Sequence, residues 1–494
     1  MVSMDNLRRL LIMAVALLSV SHAGAQYSNT MYFMKGLPQV HILNPAYQPG
    51  CRFYIGFPGL SPLQVSLDNN ALAPHDVLFY NPTLDSTILF LHPEADKEKF
   101  LSNFLEKKNY LNTDVSAGIF SFGFRTGKMY FTFDLSEKAF VRFNYPKDLP
   151  SLPVYFSLDR EGNPRDFDLS SLAVNASVYS EIALGVSRSF LEGKLNAGIK
   201  GKILLGQGNL YTRNSSITVK TSFEDNWLIN SDFGAYGSIP FSDIPSDSAG
   251  KFDFGNMSFS NPQASDFTDV FLRKPSPGFA FDLGLEYSPV KLITLSVSLL
   301  DVGFIRWKNY TYNMTQNTSY AFKGVDMSGF VSGEDTSDFG QALLDTLKNS
   351  FAFSYLRNPY TTRLPMHLMG GATLNLTKGI SLGIMDHLEI FQEQVINEIT
   401  VSANLRAGRF FGTTVSYSLL NNEYHDLGFG LMFKPGPFQW YMLFDHIPLT
   451  FDKEKNWGIP VPMYAKAFSF RIGLNLVFGC NPQKALTRDI PLVE

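Results

Sequence analysis

Residues 468–479 read FSFRIGLNLVFG, and their alternation decides the fold. Phe468, Phe470, Ile472, Leu474, Leu476 and Phe478 take the even positions, while Ser469, Arg471, Gly473 and Asn475 take odd ones. Successive side chains of a strand point to opposite faces, so this segment has one large apolar face and one polar or small face. A soluble sandwich and a lipid-embedded barrel both alternate in this way. The rest of the chain separates them.

The same period of two recurs upstream. Phe279, Phe281, Leu283, Leu285 and Tyr287 alternate with Ala280, Asp282, Gly284 and Glu286, and similar patterns fill 293–299, 401–406 and 411–419. Gly or Pro marks tight turns at 125–128, 191–193, 288–290, 377–379, 408–409 and 435–436. Between successive hairpins lie uneven connections at 71–114, 137–179, 206–277, 304–363, 390–395, 421–424 and 448–463. Tight turns strictly alternating with variable loops, and an even strand count, are the pattern of an outer-membrane barrel. The expected fold is all-β, a transmembrane antiparallel barrel of about fourteen strands with both ends on the tight-turn side. Closure leaves no unpaired backbone edge, as hydrocarbon demands. The barrel is expected over 62–479, with 480–494 as a periplasmic tail.

The small or polar faces carry charges of both signs. Asp134, Glu181, Lys194, Lys200, Lys202, Asp282, Glu286, Arg406 and Arg471 are expected to line the lumen. The three lysines could form an anion-attracting ladder, but Glu181 on the preceding strand favours pairing within a polar interior. Phe410-Phe411, Trp440-Tyr441 and Trp307 stand near strand ends, where interface girdles belong. Short amphipathic helices are expected at 93–108 and 338–350, and two further strands, 214–222 and 227–236, above the membrane.

The chain has 494 residues, of which 14% are aromatic and 17% charged, with a net charge of −4. That balance, with no basic block, gives no case for a nucleic-acid partner. Arg8-Arg9 precede an apolar run from Leu10 to Val20 and then Ala23-Gly24-Ala25. This is a cleavable signal over 1–25, with cleavage expected before Gln26 and export to the Gram-negative outer membrane. The two cysteines, Cys51 and Cys480, either pair in an oxidising compartment or stand as isolated small apolar groups.

No HExxH, GxSxG, Walker or CxxC pattern occurs. Asp386-His387, His425-Asp426 and Asp445-His446 set acid beside base, but neighbours on a strand point apart, so none couples directly. No enzymatic activity, metal or cofactor is expected; an outer-membrane hydrolase would need a serine close to one of these histidines.

Residues 26–61 repeat Pro and Gly, including Gly36-Leu-Pro, Asn44-Pro45-Ala46-Tyr47 and Gly56-Phe-Pro-Gly59. They form an irregular segment, either a plug within the lumen or a periplasmic leader. The Asn44-Pro45-Ala46 motif resembles the start of FadL-type hydrophobic-compound transporters and of PorV-type barrels. NPAYQPG, YIGFPGLS and the terminal FRIGLNLVFG together resemble an uncharacterised family of outer-membrane proteins from Bacteroides-like bacteria, over most of the mature chain. The FadL resemblance implies a fourteen-stranded, N-terminally plugged barrel taking up small hydrophobic or amphipathic molecules. The PorV resemblance implies instead a scaffold or shuttle for a secretion-system protein. No FadL-like ligand-pocket signature is present, so transport follows from architecture alone. Arg471, Gly473, Leu476 and Phe478 resemble the signal on last strands that the barrel-assembly machinery recognises, although fifteen residues follow Gly479.

Overall fold

A computed structural model describes residues 28–480 apart from 82–85, 91, 93, 156–160, 223–226, 247–251, 253–257, 260–262, 264–265, 267–268, 323–353, 393, 409, 421–422 and 448–465. The signal, the helix expected at 338–350 and the tail beyond Cys480 lie outside the described residues.

Fourteen antiparallel staves close into a barrel. The first is built from β1 (Phe53–Gly56) and β2 (Leu63–Asn69). Then come β3 (Asn109–Thr126), β4 (Met129–Tyr145), β5 (Ala173–Phe190) and β6 (Leu195–Lys220). After β7 (Trp227–Ser238) follow β8 (Ser276–Val290), β9 (Ile293–Trp307) and β10 (Thr311–Phe322). β11 (Tyr360–Arg363) and β12 (Met366–Asn375) make one stave. The wall continues through β13 (Ile380–Phe391), β14 (Gln394–Ala407), β15 (Phe411–Leu420), β16 (Glu423–Phe433), β17 (Phe438–Ile447) and β18 (Ala467–Phe478). β1 and β2 each pair with β18 on one side and β3 on the other, which seals the seam.

The wall therefore begins at Phe53, not at residue 62 as expected. Residues 57–62, with Pro58, Gly59 and Pro62, interrupt the first stave and hide its start from a reading of periodicity. β7 and β10 stand outside the ring of staves: β7 pairs with the far half of β6, and β10 with β7. The separate strand expected at 214–222 is thus the unbroken end of β6, which runs through Lys220, while β7 covers the strand expected at 227–236. The helix expected at 93–108 contracts to Lys97–Ser102, capped by Asp96 accepting from the Lys99 N–H. It buries Phe100 and Leu101 against Ala71 and Tyr145.

The outward face is apolar and open. Leu184 is 64% exposed, Ile203 48% and Phe279 58%, and Leu283, Leu295, Ile384, Val401, Val415 and Phe468 are all exposed. In β18 every even residue faces out and every odd one is buried. A single-layer barrel with its apolar side outside fits only hydrocarbon, so this is a transmembrane barrel of the outer-membrane type. Leu283, midway along β8, offers a check: Leu283→Arg should cost about 2–4 kcal/mol in a bilayer-folding titration, against far less for Leu283→Ala.

Two aromatic assignments need correction. Trp307 and Tyr441 are fully buried and face inward, so neither belongs to a girdle. Alternation is the reason: Trp440 faces out and Tyr441 in. Trp307 instead donates its indole N–H to Thr362 Oγ1 at 2.8 Å.

Candidate functional site: the plugged lumen

Residues 28–50 occupy the lumen. A one-turn helix, α1 (Asn29–Phe33), leads to a 3-10 turn at Pro38–Ile42, where Pro at the first position pre-sets the backbone angle. Met31, Phe33, Met34, Leu37, Val40 and Leu43 pack on the wall residues Leu300, Met369, Met385, Met432, Tyr441 and Leu443. Inside a barrel whose greasy face points outward, this is a second, inner apolar core.

Polar anchors surround it. The Thr30 N–H and the Ser28 hydroxyl donate to Asp445, at 3.0 and 2.7 Å. Asn29 donates to Thr400 Oγ1 at 3.0 Å. Lys35 pairs with Glu286 at 3.1 Å. Gln39 exchanges hydrogen bonds with Asn475, and His41 Nε2 lies 2.9 Å from Asp134. Arg125 donates to Gln48 and to the Pro49 carbonyl, at 2.6 and 2.7 Å. At the turn end, Cys51 is disulfide-bonded to Cys480.

The Asn44-Pro45-Ala46-Tyr47 motif has a specific seat. Asn44 Oδ1 accepts from the Ala46 N–H at 2.9 Å, closing an Asx turn, and its amide donates to the Leu285 carbonyl at 3.3 Å. Beneath lie Gly198 and Gly284, directly paired across β6 and β8. A Cβ on Gly198 would stand 2.1 Å from the Pro45 oxygen, and one on Gly284 2.1 Å from Asn44 Oδ1. Ser298, the next residue in the same cross-strand row, donates to the Leu43 carbonyl at 2.6 Å. A row of small residues is what lets this turn lie flat on the wall.

The lumen charges are engaged in several local clusters. Lys202 meets Asp282 at 2.7 Å and Asp301 at 2.6 Å; Lys200 meets Asp134 at 3.1 Å, and Lys138 meets Glu181 at 2.7 Å. Arg471 donates to Gln64 and, at 3.0 Å, to Met31 Sδ. Arg406 is half-buried beside Gly36. Lys194 is the exception among the expected lumen residues: it ends the turn Leu191–Gly193, ahead of the first residue of β6, and is exposed. Strand parity does not extend into a turn, so the three-lysine ladder does not form.

Several residues in these clusters escape a reading of the sequence. Arg142 of β4 reaches across the lumen to Glu389 of β13 at 2.7 Å and also pairs with Asp114 at 3.0 Å. Beside it Phe140 meets Phe391, with ring centroids 6.2 Å apart, and Tyr110 meets Ile396. These contacts join opposite sides of the wall towards the loop end without involving the plug. A cavity of about 100 Å³, lined by the charged Asp114, Lys138, Arg142, Glu181 and Lys202 together with apolar residues such as Ile42 and Phe140, lies between them and the plug. Arg142→Ala should destabilise the barrel by about 3–5 kcal/mol in denaturant unfolding, because Glu389 is then left buried without its partner.

The chain belongs to DUF5723, a family of unknown function. The match covers residues 45–445. It therefore begins inside the seated turn and ends at the carboxylate that anchors Ser28 and Thr30. No curated protein matches the chain. Solved structures similar to it include a Pseudomonas aeruginosa FadL homologue, at 9% identity and TM-score 0.38, covering 93% of this chain and 100% of that one. The Ralstonia pickettii toluene transporter TbuX shows 8% identity and TM-score 0.35, covering 93% and 96%. The Pseudomonas putida toluene transporter TodX shows 10% identity and TM-score 0.34, covering 92% and 94%. The assignment of the DUF5723 chain as a barrel rests on its own strand pairing.

The acid–histidine neighbours behave differently from one another. Asp386 is half-buried and bonded by Asn397, whereas His387 faces the lumen beside His367, at 3.1 Å, and Asn29. Asp445 and His446 are both buried, because His446 has φ +58° and breaks the alternation. Its ring lies 3.3 Å from Asp426 and 3.6 Å from Glu398. Of His425 only the backbone is among the described residues.

Proposed function

We propose that this DUF5723 barrel is an outer-membrane route for passive uptake of small hydrophobic or amphipathic molecules, gated by its N-terminal segment. In this reading the leader is removed before Gln26, the plug opens from the periplasmic side, and no covalent chemistry takes place. The observation that carries the proposal is the surface beneath the plug. Leu300, Met369, Met385, Met432 and Leu443 form an apolar lining within a lumen that also carries many charges, and the plug's own apolar side chains cover them. Withdrawing Met31–Leu43 would bare an apolar path, and methionines adapt to differently shaped guests. The ionic layer around Arg142 and Lys202 would favour molecules that carry a polar end. A pure secretion scaffold has no need of an apolar wall behind a removable segment.

The test is uptake of N-phenylnaphthylamine, a small apolar fluorophore, by cells whose outer membrane otherwise excludes it. Expression of the barrel should raise the rate, and Met369→Asp with Met385→Asp should return it towards baseline at equal barrel abundance. An uptake rate indifferent to expression would overturn the proposal.

A further inference from the structure

We propose that the Cys51–Cys480 bond is the fixed pivot of the plug: residues 28–50 move, and the bond keeps β1 in the wall while they do. The inference rests on the gating reading above and names the point at which the motion stops.

The bond stands in register with the seam. Phe53 pairs with Phe478 and Tyr54 with Val477, so two positions before Phe53 the chain brings Cys51 opposite Cys480. Backbone contact reaches that far, because the Arg52 N–H donates to the Phe478 carbonyl at 3.0 Å. On the other side the Arg125 N–H donates to the Arg52 carbonyl at 2.8 Å. The two cysteines pack with Tyr54, Tyr130 and Val477, and Cys51 is buried. Exchange needs an attacking thiolate to reach a sulfur, so a bond covered in this way is a lasting fitting and not a switch.

The bonded residues are 429 positions apart. Every stave from β1 to β18 therefore lies inside one covalent loop, and the plug lies outside it. The plug meets the wall at this point. Arg125 holds Gln48 and Pro49, Cys51 follows, and β1 begins at Phe53. β1 is short, with four pairs to β18 and four to β3, and the irregular run 57–62 parts it from β2. Backbone pairs at a strand end open locally, and each contributes little by itself. Without the bond, a departing plug would carry Phe53 with it and strip β1 pair by pair, loosening the seam at its turn end. With the bond, displacement ends at Cys51 and the seam stays shut.

The test is hydrogen exchange read by mass spectrometry on full-length protein in lipid. It compares the parent chain, Cys51→Ser/Cys480→Ser, the plug-seat change Gly198→Leu/Gly284→Leu, and all four substitutions together. The plug-seat change alone should speed exchange over 36–47 and leave 53–56 as protected as in the parent. With the serines added, 53–56 should exchange at least ~10-fold faster, whereas β2 should keep its protection. Should the combined variant fail to assemble, reduction of the assembled plug-seat variant by a phosphine in mild urea takes its place. Equal exchange over 53–56 with and without the bond overturns the pivot. Equal acceleration over β1 and β2 also overturns it, since the whole wall has then loosened. Faster exchange over 36–47 with no gain in N-phenylnaphthylamine uptake overturns the gating reading, and the result over 53–56 still decides the pivot.

Discussion

Excising residues 36–50 should convert a closed barrel into an open one, seen as discrete conductance steps in planar bilayers and as faster uptake of N-phenylnaphthylamine. The excision removes the seated Asn44-Pro45-Ala46 turn, the Gln39–Asn475 exchange and the His41–Asp134 contact together. Residues 28–35 would then be drawn towards Cys51 at the turn end and away from Asp445. If the plug is displaced in under a tenth of molecules at rest, its removal raises the uptake rate by at least ~10-fold. A full-length variant makes the same point without shortening the chain. Gly198→Leu with Gly284→Leu fills the seat from the wall side, where even a Cβ would collide with Pro45 and Asn44. Both changes should open the barrel. Unchanged permeability in both would refute gating by this segment, and opening by the excision alone would show that the turn is not the anchor.

The parts of this architecture that were legible in the sequence are those governed by local rules. Period-two alternation in β8, β9, β14, β15 and β18, with Gly or Pro at the tight reversals, is enough to place the staves, because each signal sits within a dozen residues. The inward charges were legible one by one, as in Lys202 and Asp282, and so was the pairing of Glu181 with the lysine strand, where Lys202 stands 3.9 Å away, but the cluster around Lys202 was not. Asp301 completes that cluster from a position with φ +58°, where β9 slips register against β8 and a residue outside the alternation turns inward. Asp445 and His446 share the lumen for the same reason. Arg142 fell in a stretch read as a loop, since β4 continues to Tyr145 and β5 begins at Ala173, beyond the length that a membrane crossing needs. The irregular character of the plug was readable from its Pro and Gly. Its grip on the wall was not, because every anchor joins residues hundreds of positions apart, as Ser28 joins Asp445.

Gly473→Asp should nearly abolish the heat-modifiable, folded form of the protein in outer-membrane fractions. β18 is the seam strand, paired with β17 on one side and with β1 and β2 on the other, so closure waits on it. Gly473 lies directly opposite Tyr441, whose ring covers it: a Cβ there would come 2.3 Å from the phenol oxygen. Tyr441 is fully buried in the apolar layer that holds the plug, so it cannot swing aside without displacing Met31 and its neighbours. An aspartate would add the desolvation of a buried charge to that clash. Phe478→Ala probes the same strand from its other face. Phe478 is 45% exposed towards lipid and stacks on Phe53 with centroids 6.1 Å apart, so its loss leaves the lumen untouched. We propose that Arg471, Gly473, Leu476 and Phe478 form the signal read by the barrel-assembly machinery, and on that reading both substitutions reduce assembled protein. Ser469→Ala, on the same strand and with a hydroxyl that has no hydrogen-bond partner among the described residues, should leave the amount unchanged. Normal assembly of Phe478→Ala beside failure of Gly473→Asp would reduce the effect to lumen packing under Tyr441. Normal assembly of both would remove the signal altogether.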